Sequence, residues 1–131
     1  MTNKKLGNDF ESKFCEILSE NGFWCHNLAQ NASGQPADVI AVRRGRAYLI
    51  DCKVCKARGF ALSRMEENQD LSMDLWDSCG NKVGWFAMLV GEEIIMVPHT
   101  ALKELRKQKC YATEMDLNIH GIPLERWLSK W

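Results

Sequence analysis

Asp38, Asp51 and Lys53 are the residues whose types and spacing could do chemistry together. Asp51 and Lys53 stand two apart in Tyr48-Leu49-Ile50-Asp51-Cys52-Lys53, so on an extended strand they share one face while Ile50 and Cys52 take the other. Asp38 heads the preceding apolar run, and a hairpin between the two runs brings it close to Asp51. Ionised carboxylates at strand ends beside a lysine suit a hard divalent cation. Magnesium wants about six oxygens and takes only a few from protein, the rest from water and phosphate. The chemistry that fits is phosphodiester hydrolysis. A cation polarises the scissile phosphate and lowers the pKa of the attacking water. Lys53 orients that water or steadies charge developing on the phosphorane oxygens. The same D-x-K spacing also describes an ion pair on a partly solvated strand.

The elements that must position these groups follow from periodicity. Phe10, Phe14, Ile17 and Leu18 recur at helical spacing, and Asn21-Gly22 stops a helix over Gly7 to Asn21. Strands are predicted over Phe23 to Leu28, Ala37 to Val42 and Ala47 to Val54, the last two joined by a tight turn around Gly45. Ser63 with Glu66 resembles a capping box, which predicts a second helix from Arg64 to Ser78. Val83 to Val90 and Ile94 to Val97 read as strands around a Gly91-Glu92-Glu93 turn. A short helix opens at Pro98 or His99, with Leu102 and Leu105 inward. Beyond Lys109 the pattern is hard to read, except for a terminal helix over Ile122 to Trp131. Trp127 and Trp131 lie four apart there, either closing the core or facing a second copy. This order favours an α/β fold, a central mixed sheet flanked by helices.

At 131 residues the chain has room for one core, so residues 1–131 are expected to form a single domain. No run of apolar residues is long enough to cross a bilayer, and the N-terminus lacks the apolar stretch of a signal peptide; a cytoplasmic protein with no membrane partner is expected. Six cysteines without a secretion signal read as reduced thiols. Cys52 and Cys55 invite a zinc reading, but residues three apart on a strand point to opposite faces. Lys plus Arg and Asp plus Glu each number 17, a formal net charge of zero that excludes a uniformly basic nucleic-acid coat. The charges are segregated, however. Arg43, Arg44, Arg46, Lys53, Lys56, Arg58 and Arg64 stand against one acid, Asp51, and five acids follow between Glu66 and Asp77. Basic groups beside a cation site can pair with phosphates and make affinity salt-dependent. Lys4 and Lys5 add a basic arm, while Lys103, Arg106, Lys107 and Lys109 equally describe the solvated face of a helix.

Taken together, these stretches resemble the PD-(D/E)xK nuclease superfamily, with its restriction-endonuclease-like fold. Within it they resemble the Holliday junction resolvases of archaea, their phage relatives and the RecU resolvases of Gram-positive bacteria, over residues 7 to 100. Gly7-Asn8-Asp9-Phe10-Glu11 is similar to the family's opening helix, which implies that Glu11 helps bind the metal. Ser33-Gly34 followed by Asp38 is similar to the loop leading to the first catalytic aspartate, with Ser33 near phosphate or merely bracing the loop. Tyr48 to Lys53 is similar to the (D/E)xK strand. Phe60 to Gln69 resembles a RecU-like segment whose glutamine, here Gln69, faces the site. One departure is Ala37 before Asp38, where the family usually has proline; Pro36 is displaced by one.

The resemblance implies a catalytic set of Glu11, Asp38, Asp51, Lys53 and Gln69, with Glu11, Asp38 and Asp51 on magnesium or, as a substitute, manganese. It implies a homodimer that nicks symmetric strands of branched DNA to leave 5′-phosphate ends. Lys4, Lys5, Ser33, Arg43, Arg44, Arg46, Lys56, Arg58 and Arg64 are the expected DNA contacts, and Phe23, Trp24 or the aromatic C-terminus the expected two-fold surface. The compact form favours a phage or prophage source in a bacterial host. Two other readings fit the same residues: a general or restriction-like DNA nuclease, and a non-catalytic module that binds branched DNA.

Overall fold

Phe10, Phe14 and Leu18 line one side of helix α1 (Asn3–Glu20), which Thr2 caps by accepting the Lys5 N–H at 3.1 Å. The structure, a computed structural model, describes residues 2–28 and 36–131. After α1 come strands β1 (Trp24–Asn27), β2 (Val39–Arg43) and β3 (Arg46–Val54). The β2–β3 turn places Arg44 at φ 55° and Gly45 at φ 76°, two successive left-handed residues of the kind a two-residue hairpin requires. The chain continues through β4 (Phe60–Ala61), a 3-10 turn (Leu62–Arg64), α2 (Glu67–Ser78), β5 (Trp85–Val90), β6 (Glu93–Pro98) and α3 (His99–Arg106). It ends in β7 (Tyr111–Ala112), α4 (Glu114–His120), β8 (Ile122–Pro123) and α5 (Leu124–Lys130).

Six strands form one sheet in the order β1-β2-β3-β5-β6-β8, and β4 pairs separately with β7. The β3–β5 pair is parallel and the others in the large sheet are antiparallel, so the sheet is mixed, as expected. A parallel pair needs a crossover, which α2 supplies. The alternation of side chains divides the core. Tyr48, Ile50, Trp85 and Ala87 pack with Phe10, Phe14, Leu18 and Trp127 on one face. Leu49, Phe86, Met88 and Val97 pack with Met73, Leu102 and Leu117 on the other. Cys52 belongs to the first face and Cys55 to the second, so the C-x-x-C pair does not converge.

Two expectations need correction, and one stretch that the pattern left unread takes shape. The second helix starts at Glu67 rather than Arg64: Phe60, Leu62 and Met65 bury into the second core and β4 pairs with β7, which keeps this stretch out of the helix. Its cap is Glu66, whose N–H is accepted by Gln69 Oε1 at 3.4 Å. The stretch past Lys109 is ordered structure, with Thr113 and Asp116 exchanging capping bonds of 3.1 and 2.9 Å at the head of α4. Finally, Phe23 belongs to the core of its own chain, and of the two readings of Trp127 the structure takes core closure. Trp127 is fully buried, stacked on Phe23 at 5.6 Å and edge-on to Tyr48 at 5.3 Å, so neither offers a surface to a second copy.

Candidate active site

The β2–β3 ladder closes at the pair Val39 and Ile50, and its register sets Asp38 directly opposite Asp51. There β2 ends, while β3 runs on through Val54 with β5 on its other edge. The Cys52 N–H, on the edge that β2 leaves bare, is accepted instead by Asp38 Oδ2 at 2.8 Å. Because a strand residue's N–H and C=O point to the same side, the Cys52 carbonyl is presented at that edge too. No spacing in the sequence advertises a backbone carbonyl.

Asp51 is completely buried and Asp38 nearly so. Asp51 Oδ1 accepts a hydrogen bond from Gln69 Nε2 at 3.0 Å, which ties β3 to the first turn of α2. Its Oδ2 is paired with Lys53 Nζ, 3.1 Å away. Burial raises the Asp51 carboxyl well above its ordinary range, and Asp38 raises it further against the opposing pull of Lys53. Glu11, reaching in from α1, is raised to about 7, first by burial and then by Asp38, with Lys53 again opposing. Acids that resist ionisation because they are buried and, second, close to one another become good oxygen ligands once a cation offsets their charge. Among the described residues, no three His, Cys, Asp or Glu side chains already converge as a metal cluster. The donor set fits a cation that draws its remaining ligands from water and phosphate.

Glu11, Asp38, Asp51, Lys53 and Gln69 all line one cleft of about 760 Å³. The expected DNA-contact residues divide. Lys56 and Arg64 line the cleft, although Arg64 also donates to Val54 O at 3.0 Å. Lys4 and Lys5 lie on the first turns of α1, whose Asn3, Leu6 and Gly7 border it. Arg44 and Arg46 flank the turn at the other end of β3. Arg43 is a correction: its guanidinium lies 4.1 Å over the Phe23 ring and donates to Asn21 O at 2.9 Å and Leu128 O at 2.6 Å, which makes it a structural tie. Arg58 is likewise engaged, by Glu114. Ser33 lies outside the described residues. The sequence reading missed Glu66 and Tyr111, which also line the cleft. The capping pattern pointed to Glu66 only as a helix signal, and nothing local pointed to Tyr111.

A family model described as archaeal Holliday junction resolvase (Hjc) matches residues 2–130. No curated protein matches. Among solved structures, the fold is similar to that of Hjc, a Holliday junction resolvase from the archaeal hyperthermophile Archaeoglobus fulgidus. That likeness has a TM-score of 0.72 at 18% identity and covers 93% of this chain and 99% of the other. The matching family is described as archaeal, which lends no support to the expected bacterial or phage source. No helix among the described residues is long and apolar enough to cross a membrane.

Proposed function

The chain belongs to the archaeal Holliday junction resolvase family, and from that premise we propose that the cleft around Asp38, Asp51 and Lys53 is where it cuts a junction strand. The activity is that of a structure-selective endonuclease on four-way DNA. The observation that carries the site assignment is the buried Asp51 carboxylate, facing Asp38 in register, held by Gln69 and flanked by Lys53.

We assign Glu11, Asp38 and Asp51, with the Cys52 carbonyl, as the groups that would hold magnesium, or manganese in its place. When bound, the ion supplies Lewis-acid stabilisation of the phosphate and a more acidic water. The chain's own residues do the rest. Gln69 fixes the Asp51 carboxylate, and Asp38 accepts the Cys52 N–H at the β3 edge that β2 leaves bare. Lys53, mostly shielded from solvent, places a positive charge beside the position where the phosphorane oxygens become more negative. Lys56 and Arg64 extend that positive wall along the cleft.

A junction is cut at two symmetric positions, and the described residues carry one such constellation around Asp38, Asp51 and Lys53, which supports a homodimer as the working unit. Surface for a second copy is offered by two exposed apolar pairs, Leu71 with Leu75 on α2 and Met115 with Ile119 on α4. Trp24 is exposed as well.

The test is cleavage of an end-labelled four-way junction in magnesium by the wild type and by Asp51→Asn. Paired nicks with 5′-phosphate ends, lost in the variant while junction binding persists, are expected. Full activity in Asp51→Asn, or equal cleavage of linear duplex, would overturn the reading.

A further inference from the structure

Between β3 and β4 the chain turns through Lys56, Ala57, Arg58 and Gly59, with the Gly59 N–H donating to Lys56 O at 3.0 Å. Both central residues are left-handed, Ala57 at φ 50° and Arg58 at φ 58°. This is the two-residue hairpin geometry that Asn-Gly ordinarily fills, and side chains at both positions strain it. The turn is held from two sides. Arg58 makes a bidentate pair with Glu114 at the head of α4, at 2.6 and 2.7 Å. Tyr111 of β7 lays its ring across Gly59, so close that a Cβ there would stand 2.3 Å from the hydroxyl oxygen and 2.6 Å from two ring carbons. Its hydroxyl donates to Lys56 O at 3.4 Å. Tyr111 still keeps 43% of its surface exposed, and it lines the same cleft as Asp51, Lys53 and Gln69.

A partly exposed aromatic side chain beside the proposed strand-cutting site has a narrow choice of DNA partner. In continuous duplex, neighbouring bases cover both faces of each base, and a protein ring finds none to stack on. At a four-way branch point held open, as it is without divalent ions, stacking is interrupted and a face is uncovered. Removing an aromatic that stacks on one base changes affinity by roughly 5- to 150-fold. Lys56, in the same turn, lines the same cleft and brings a positive charge to it.

We propose that Tyr111, seated over Gly59 on the strained Lys56–Gly59 turn, is a specificity residue that packs on the nucleotide uncovered at the branch point and so favours junction over linear duplex. The proposal rests on the reading of this cleft as the strand-cutting site. It also gives the tight turn a purpose, since relaxing the turn would move Lys56 and Tyr111 together.

The experiment measures affinity for a four-way junction and for linear duplex of the same sequence, in chelator, using four proteins. Tyr111→Leu keeps an apolar cover over Gly59 but removes the aromatic face, and Tyr111→Phe keeps the face but removes the hydroxyl. Gly59→Ala displaces the ring while leaving Tyr111 itself intact. Melting curves verify folding. The expected result is junction binding weakened about tenfold by Tyr111→Leu and by Gly59→Ala, duplex binding unchanged, and wild-type behaviour in Tyr111→Phe. A fluorescent base analogue at the branch point should respond to the wild type and not to Tyr111→Leu. Equal losses on both substrates, no loss on either, or a Tyr111→Phe variant as weak as Tyr111→Leu would overturn the proposal. Binding in chelator does not draw on Asp51, so such a failure leaves the cutting-site reading standing; that reading falls separately, to a fully active Asp51→Asn.

Discussion

Gln69 Nε2 donates to Asp51 Oδ1 at 3.0 Å, so the first turn of α2 and the carboxylate on β3 form one unit. The other end of the same amide accepts the Glu66 N–H at 3.4 Å, and Gln69 itself is buried. Only an amide satisfies both bonds. Gln69→Ala leaves Asp51 free to rotate, and Gln69→Glu sets a second carboxylate against it. Each is expected to lower cleavage, or raise the magnesium concentration required, by about 10- to 100-fold. Junction affinity in chelator should not change. Single-turnover cleavage across a magnesium series checks both; unaltered rates at every concentration would show that the contact only shapes the fold.

Glu11 links pH to stability. It is raised from 4.5 to about 7 by burial and by Asp38. Between those values the metal-free fold keeps a proton that the unfolded chain has released, so stability falls as pH rises. The contribution is whole below 4.5 and gone above about 7. Asp51 is shifted in the same direction. In chelator, Tm is therefore expected to drop between about pH 5 and about pH 7.5. Magnesium should reduce that drop by replacing the proton, and Glu11→Gln should flatten it. Scanning fluorimetry across pH, with and without magnesium, makes the measurement. A chelator Tm that rises over this window would contradict it.

Two basic residues expected on DNA should separate in their effects. Arg43 satisfies two backbone carbonyls, and Arg43→Ala is expected to cost about 1–3 kcal/mol of stability with little change in DNA affinity. Lys56 lines the cleft, and Lys56→Ala should leave Tm unchanged while lowering the salt slope of junction binding by about one. Denaturant melts and binding isotherms over a salt series distinguish them. A Lys56→Ala slope equal to the wild type would remove Lys56 from the DNA path.

Sedimentation tests the proposed dimer. A chain of 15.0 kDa should run at twice that mass, and Leu71→Arg with Leu75→Arg is expected to split the pair and convert coordinated cuts into single nicks. A wild-type monomer at working concentration would refute the dimer. A dimer that survives both substitutions would place the interface on another face.

How much of the site was legible depends on how far along the chain each contact reaches. Asp51 and Lys53 share a face because a strand has a period of two, and Asp38 meets Asp51 because a hairpin register is a local matter. Glu11 sits at the edge of an apolar helical stripe, which is visible as periodicity, although its reach to the cleft is not.

Local sequence by itself determined the α1 stripe, the β2–β3 hairpin, the shared face of Asp51 and Lys53 and the split of Cys52 from Cys55. Each follows from a repeat of 2 or about 3.6 residues read over a short window. Only the tertiary structure decided that Gln69 holds Asp51, that Arg43 ties down Asn21 and Leu128, that Trp127 fills the core, and that Tyr111 covers Gly59 at the cleft. Those contacts join segments between 18 and 104 residues apart, the extremes being Gln69 with Asp51 and Trp127 with Phe23. They exist because a buried carboxylate, carbonyl or ring must find a partner wherever the folded chain brings one, and no local period records which partner that is.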